Sequence, residues 1–169
     1  MSWFLRVASL LRSSEGAKAT LQTALTAFKN VKATMASMET AAMQELMSKA
    51  EQGDPRARYD FGERYYFGNS VPQDYAEAAR WFLRAAEQGH AQAQANLGMM
   101  LALGRGVDRD YVEALKWLNL AAARGNQSAL KTRNTLLKRL SPEDIAEGQH
   151  RASVFVAAPA KSPSEGSPT

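Results

Sequence analysis

Hydrophobic side chains recur every three or four residues over most of the chain, which is the spacing of amphipathic helices. The longest such stretch has its apolar positions at Leu21, Leu25, Phe28, Val31, Met35, Met38, Ala42 and Leu46. The pattern predicts one long amphipathic helix, or two joined end to end. We expect its apolar face to pack on the residues that follow, to self-associate, or to dock a partner through its adaptable methionines.

Shorter apolar stripes alternate between residues 53 and 124. Gly53, Gly89 and Gly125 lie 36 residues apart (89 − 53 and 125 − 89), so the blocks 53–88 and 89–124 align without a gap. The first stripes are Ala57, Phe61, Gly62, Tyr65 and Ala93, Leu97, Gly98, Leu101; the second stripes are Ala78, Trp81, Phe82, Ala85, Ala86 and Ala114, Trp117, Leu118, Ala121, Ala122. A period of this length predicts stacked helix–turn–helix units.

The glycines of each block are predicted to have two structural roles, close helix packing and helix termination. Gly62 and Gly98 lie inside the first stripes, where glycine lowers helix propensity by about 1 kcal/mol. We therefore expect them to admit the close approach of a neighbouring helix. Gly68 and Gly104 follow the first stripes, where a left-handed helix end favours glycine.

Acidic residues precede each second stripe in a repeated arrangement. Asp74 and Asp110 are predicted N-caps, and Glu77 and Glu113 follow them by three residues in a capping-box-like pattern. Because the same pair recurs ahead of a helix, capping explains these carboxylates better than acid–base catalysis does.

About a dozen positions of the repeat agree at fixed spacing over residues 53–125, as A-x-x-x-[LF]-G-x-x-[YL]-x-x-G-x-x-V-x-x-D-Y-x-x-A-x-x-W-x-x-x-A-A-x-x-G. This pattern resembles the Sel-one-like repeat, a longer relative of the tetratricopeptide repeat. The resemblance implies an all-α, short right-handed α/α solenoid. Asn69 and Ser70 depart from the glycine-containing loop of the family, and Leu101 stands where tyrosine is common.

Partial units flank the two repeats. Residues 49–53 mirror residues 85–89, and Ala129, Asn134 and Leu137 continue the first-helix pattern to about Leu140. Ser141 before Pro142 then opens a short capping helix. The predicted organisation is a leader over 1–16, a long helix ending in a half-repeat over 17–52, repeats over 53–88 and 89–124, a half-repeat and cap over 125–155, and a disordered tail over 156–169.

The leader is basic and amphipathic. It places Trp3, Phe4, Val7, Leu10 and Leu11 on one side, flanked by Arg6 and Arg12. A packed helix, a membrane-surface helix and an organelle-targeting segment all fit this pattern. We therefore expect a cytoplasmic protein, with membrane association through this segment or organelle targeting as the alternatives.

Charge and composition narrow the classes of function. The formal net charge is +4, but residues 53–124 balance nine basic against nine acidic residues, so nucleic acid is not the expected partner. The sequence contains no cysteine, which excludes disulfides and thiolate metal sites. His90 lies in an inter-repeat turn, His150 lies near the end of the last helix, and Trp81 and Trp117 belong to apolar stripes. These residues form no catalytic, phosphate-binding or metal-binding set, so we expect no enzyme and no cofactor.

A surface remains for binding. In tetratricopeptide-like stacks the first helices line a concave face, and by that resemblance the face comprises Arg56, Tyr59, Glu63, Tyr66, Gln92, Met99, Leu103 and Lys131. A mixed aromatic, charged and methionine lining suits an extended peptide or a partner helix. The sequence therefore predicts an adaptor that binds one or more proteins. The alternative is a peripheral membrane-associated or structural subunit anchored by the leader.

Overall fold

The computed structural model describes residues 15–157, which form seven helices and no strand. The helices are α1 (Glu15–Glu51), α2 (Pro55–Phe67), α3 (Tyr75–Glu87), α4 (Ala91–Leu103), α5 (Tyr111–Ala123), α6 (Gln127–Leu137) and α7 (Pro142–Ala157). The leader with Trp3, Phe4, Val7, Leu10 and Leu11 and the tail beyond residue 157 lie outside the described residues. The chain divides into two compact units at residues 45 and 46.

The first unit contributes most of α1, which is one continuous helix. The large apolar side chains between residues 21 and 38 are exposed, from 49 % for Leu25 to 69 % for Phe28. None of the described helices has a stretch long and apolar enough to cross a membrane.

In the second unit, consecutive helices pack against one another from α2 to α6, and α7 packs on α5. Asp54, His90 and Asn126 occupy equivalent turns and cap the N-termini of α2, α4 and α6 with their side chains. Asp74 and Asp110 cap α3 and α5 in the same way. Each first helix and each second helix of the repeat thus starts at a residue whose side chain accepts from one or two of its free N–H groups.

One glycine in each helix pair brings its two helices close together. A Cβ atom on Gly62 would lie 2.7 Å from Cδ1 of Phe82, and one on Gly98 would lie 2.8 Å from Cγ of Leu118. The missing methyl group lets a fully buried side chain of the second helix fill the space over the first helix. Gly68 ends α2 at φ 74° and Gly104 ends α4 at φ 65°, the left-handed conformation that glycine adopts without strain.

Only half of the capping-box pattern forms. The Asp74 carboxylate accepts hydrogen bonds from the backbone N–H groups of Ala76 and Glu77, at 2.9 and 3.0 Å. The backbone N–H of Asp74 donates to the carbonyl oxygen of Tyr65 at 2.9 Å. The Glu77 side chain pairs with Arg80. The reciprocal bond is replaced because the turn after α2 brings a helix carbonyl within reach of the cap.

Helix α7 covers the last repeat. The Phe155 ring packs edge-on against Trp117, with centroids 5.2 Å apart, and Arg151 Nη1 lies 3.3 Å from Glu113 Oε2. Trp117 is 2 % exposed and Trp81 is 8 % exposed, so both tryptophans belong to the core. Because Phe155 is held on Trp117, the helix continues to Ala157. The helix thus ends two residues beyond residue 155, where the sequence analysis places the end of the cap.

Candidate partner-binding pocket

The N-terminal ends of α2 and α4 and the turn before α6 form one pocket of about 580 Å³. It is lined by Arg56, Tyr59, Glu63, His90, Ala91, Gln92, Arg124, Gly125 and Asn126, and we call it the polar pocket. The 36-residue spacing of the turns brings these ends together, since each repeat places its first helix in the same position relative to the one before it.

An aromatic pair forms one wall of the polar pocket. The Tyr59 ring stacks on His90 with centroids 4.6 Å apart, and its hydroxyl donates to Glu63 Oε1 at 2.6 Å. The Tyr59 ring also packs in a tilted arrangement on Phe82 in the core, with centroids 5.6 Å apart. Tyr59 is only 8 % exposed, so the prediction that it is an exposed groove residue is wrong. It supports the wall of the pocket and orients the Glu63 carboxylate.

Side-chain amides connect the second repeat to the helix that follows it. Asn126 Nδ2 donates to Gln92 Oε1 at 2.8 Å, and Gln92 Nε2 lies 3.4 Å from Asn96 Oδ1. The second distance is at the long end for a hydrogen bond, so the Gln92 amide retains donor capacity. Gln92 is exposed and presents that amide at the pocket.

Two arginines supply the positive charge of the polar pocket. Arg56 Nε pairs with Asp60 Oδ1 at 2.9 Å while 74 % of the Arg56 side chain stays exposed. The Arg124 guanidinium lies against Gly89, where an added Cβ atom would be 2.8 Å from Nη2. Together with Glu63, these residues give the pocket both signs of charge.

Burial shifts the pKa values of the two aromatic groups of the wall, in each case toward the uncharged form. It raises the pKa of Tyr59, and the hydrogen bond to Glu63 raises this pKa further. Burial also lowers the pKa of His90, and the Arg56 charge lowers it further. The neutral His90 ring accepts the Ala93 backbone N–H at Nδ1, at 3.2 Å. The ring stacking and this hydrogen bond hold the pair in place at the wall of the pocket.

The described residues contain no group of three or more His, Cys, Asp or Glu side chains that could hold a metal ion. With the Tyr59 hydroxyl donating to Glu63 and His90 engaged as a helix cap, the polar pocket presents hydrogen-bond donors, acceptors and charges. Chemically, such a lining offers hydrogen-bonding and ionic partners to a polar ligand.

The structure brings together half of the residues predicted for the groove. Arg56, Tyr59, Glu63 and Gln92 line the polar pocket; Tyr66, Met99, Leu103 and Lys131 do not. Tyr66 accepts a hydrogen bond from Arg105 Nη1 at 2.6 Å and packs edge-on against Tyr75, with ring centroids 5.2 Å apart. Met99 is half-buried, whereas Leu103 and Lys131 are exposed.

Sequence reasoning missed His90, Arg124 and Asn126 as pocket residues. The signal was present in the turn positions, because His90 and Asn126 are each one residue after a glycine of the 36-residue series. Arg124 is the last residue of the block 89–124 and follows Arg56 by 68 residues (124 − 56). Only the stacking of the repeats brings these two arginines into the lining of one pocket.

Comparison with known proteins identifies the repeat. The family model described as "Sel1 repeat" matches residues 55–90 and 91–126. A solved structure of a protective antigen from uropathogenic Escherichia coli, described as displaying an SLR fold, is 29 % identical with a TM-score of 0.66 and covers 70 % of this chain. A Sel1 repeat protein from Oxalobacter formigenes is 46 % identical with a TM-score of 0.55 over 56 % of this chain.

The matched regions cover 26 % and 27 % of those two longer chains, so this chain spans about a quarter of either. No curated protein matches the chain. The family match begins two residues after each block predicted from the glycine spacing, and each matched segment has the same length as a block. The resemblance drawn from the sequence is confirmed, and so is the all-α solenoid fold: the chain carries two Sel1 repeats, at residues 55–90 and 91–126.

Proposed function

We propose that this chain is a protein-binding adaptor that holds an extended segment of a partner protein in the polar pocket. Sel1 repeats are typically protein–protein interaction modules, and their fold is generally a non-catalytic scaffold, which supports the class of function. The observation that carries the proposal is the convergence of Arg56, Glu63, Gln92 and Asn126, from successive repeat positions, on one pocket.

The chemistry of the lining favours an extended peptide. The Gln92 and Asn126 amides carry donors and acceptors, as a peptide backbone does, so they are able to pair with a bound strand of chain. Arg56 and Arg124 supply cations for a carboxylate of the bound segment, and Glu63 supplies an acceptor fixed by Tyr59. The ligand expected is thus an extended, carboxylate-bearing protein segment.

Arg56→Glu tests the proposal against a matched control. Arg56 and Arg80 are both largely exposed, at 74 % and 69 % of the side chain, and each pairs with a carboxylate on its own helix. Only Arg56 lines the polar pocket. Tagged wild type, Arg56→Glu and Arg80→Glu are recovered from the native cells, and co-purifying proteins are quantified by mass spectrometry. We expect partners that Arg56→Glu loses and Arg80→Glu retains.

Photo-crosslinking from the pocket identifies the bound segment. A photoreactive amino acid at Gln92 is expected to label one stretch of a partner, whereas the same group at Gln149, an exposed position of α7, leaves that stretch unlabelled. Equal partner recovery by the two arginine variants, together with equal labelling from both glutamine positions, would reject the polar pocket as the binding site.

A further inference from the structure

The first unit exposes a regular apolar seam along α1. Leu21, Phe28 and Met35 are seven residues apart and are exposed by 66 %, 69 % and 66 %. Val31 and Met38 form a second series, each three residues C-terminal to a residue of the first series. They are exposed by 57 % and 67 %. With the exposed alanines Ala24 and Ala42, the two series occupy the a and d positions of three successive heptads. We call residues 21–42 of this face the α1 seam.

The seven-residue period of the α1 seam indicates what kind of partner covers it. A strict seven-residue repeat is the signature of helices that supercoil around another helix, because it keeps the seam facing a partner of the same period. A second copy of the chain offers a helix of the required length, period and apolar content. We propose that the α1 seam pairs with the α1 seam of a second copy of this chain in an antiparallel coiled coil.

The charges beside the seam give the direction. Lys32 and Glu39 both follow a residue of the second series, so both flank the seam on the same side. A parallel pair would place Lys32 and Glu39 beside Ala27 and Thr34 of the second copy, which carry no charge. An antiparallel pair centred between Met35 and Met38 places Lys32 near Glu39 of the second copy, twice by symmetry.

The area of the α1 seam is adequate for a reversible dimer. Its large apolar side chains are 49–69 % exposed when Leu25 at the seam's edge is included. Covering them removes about 600 Å² per copy, roughly 1,200 Å² for the pair, which is the lower end of the range for specific interfaces. We therefore expect a dimer that dissociates on dilution. This inference does not depend on the polar pocket.

Sedimentation equilibrium of the full chain tests the pairing. Wild type is expected to dimerise, and Met35→Glu, which buries a carboxylate in the seam, is expected to weaken dimerisation by about 10-fold or more. Ser37→Glu adds the same charge two residues away, outside the seam, and is expected to leave dimerisation within about 2-fold of wild type. A wild type that stays monomeric at about 200 µM, or a Met35→Glu dimer as strong as wild type, would overturn the proposal and leave a different protein as the occupant.

The direction has its own test. Lys32→Glu and Glu39→Lys are each expected to weaken the dimer several-fold, and the double exchange is expected to restore it, because the two positions face each other only in an antiparallel pair. Since the chain has no cysteine, Ala24→Cys adds a single reporter thiol. In the antiparallel pair the two introduced thiols are far apart and form no disulfide; a rapid disulfide between copies would establish a parallel pair and overturn the assignment.

Discussion

The side-chain amide of Gln94 donates a hydrogen bond to the carbonyl oxygen of Ala86, at 3.0 Å, across the boundary between the two repeats. One period earlier, Arg58 Nε donates to the carbonyl oxygen of Ala50 at 2.9 Å. Both acceptors lie in the last turn of the preceding helix. Two different side chains at one repeat position therefore tie each first helix to the helix before it.

Two substitutions of Gln94 distinguish the contribution of its hydrogen bond to stability from the contribution of its packing. The side chain is fully buried, so Gln94→Glu would set a carboxylate against the Ala86 carbonyl oxygen in place of a donor. We expect this variant to lose about 3 kcal/mol of unfolding free energy at pH 7. Gln94→Met keeps the length of the side chain and loses one neutral hydrogen bond, so its loss is expected to be about 1 kcal/mol. Urea denaturation measures both, and equal losses would mean that the contact contributes through packing alone.

The close approach at Gly62 predicts a coupling with Phe82. Gly62→Ala improves helix propensity by about 1 kcal/mol but overpacks the ring, for a net loss of about 1–2 kcal/mol. Phe82→Leu removes the ring edge that the new methyl group would meet, so the double variant is expected to be more stable than the sum of the single losses implies. Thermal unfolding of the four proteins gives the coupling energy.

Gly98→Ala provides the control for that cycle. Its added methyl group would meet Leu118 and the carbonyl oxygen of Ala114, not Phe82. Its loss is therefore expected to add to that of Phe82→Leu. A coupling of equal size in both pairs would contradict the assignment of the contacts.

Because only half of the capping box forms, we expect Asp74 to contribute more than Glu77 to the unfolding free energy. Asp74→Ala removes the acceptor of two N–H groups of α3 and is expected to lower the unfolding free energy by about 1 kcal/mol. Glu77→Gln weakens only a surface ion pair with Arg80, so its effect is expected to be no more than about 0.5 kcal/mol. Chemical denaturation distinguishes the two, and similar losses would indicate a complete capping box.

Local patterns in the sequence predicted the helices and their ends, whereas the lining of the polar pocket depends on how distant segments pack together. Gly68 and Asp74 have their roles because of neighbours within a few residues, so their spacing alone predicted the caps. Tyr59 was expected at the surface because its place on α2 suits a concave face. How far it turns toward Phe82 depends on the rotation between consecutive helices, which no residue pattern records. Arg124 reaches the polar pocket through the same stacking.

His90 should make stability depend on pH. Its neutral Nδ1 caps α4 by accepting the Ala93 N–H, and burial, followed by the charge of Arg56, lowers its pKa below the ordinary value of 6.5. As the pH falls below 6.5, the unfolded chain binds a proton at this histidine before the folded chain does, so stability decreases until the folded pKa is passed. Above 6.5 both states are neutral and the contribution is complete.

His90→Asn tests that dependence, because asparagine is the residue that caps α6 at the equivalent position, Asn126. The variant keeps a capping acceptor and removes the titrating group, so we expect its unfolding free energy to decline less than that of wild type between pH 7 and pH 5. His150→Gln replaces the other histidine, an exposed residue of α7, and should keep the wild-type decline. The measurement is urea denaturation at each pH, taken as differences between proteins so that the carboxylates they share cancel. If His90→Asn declined as steeply as wild type, the cap would not depend on the neutral ring.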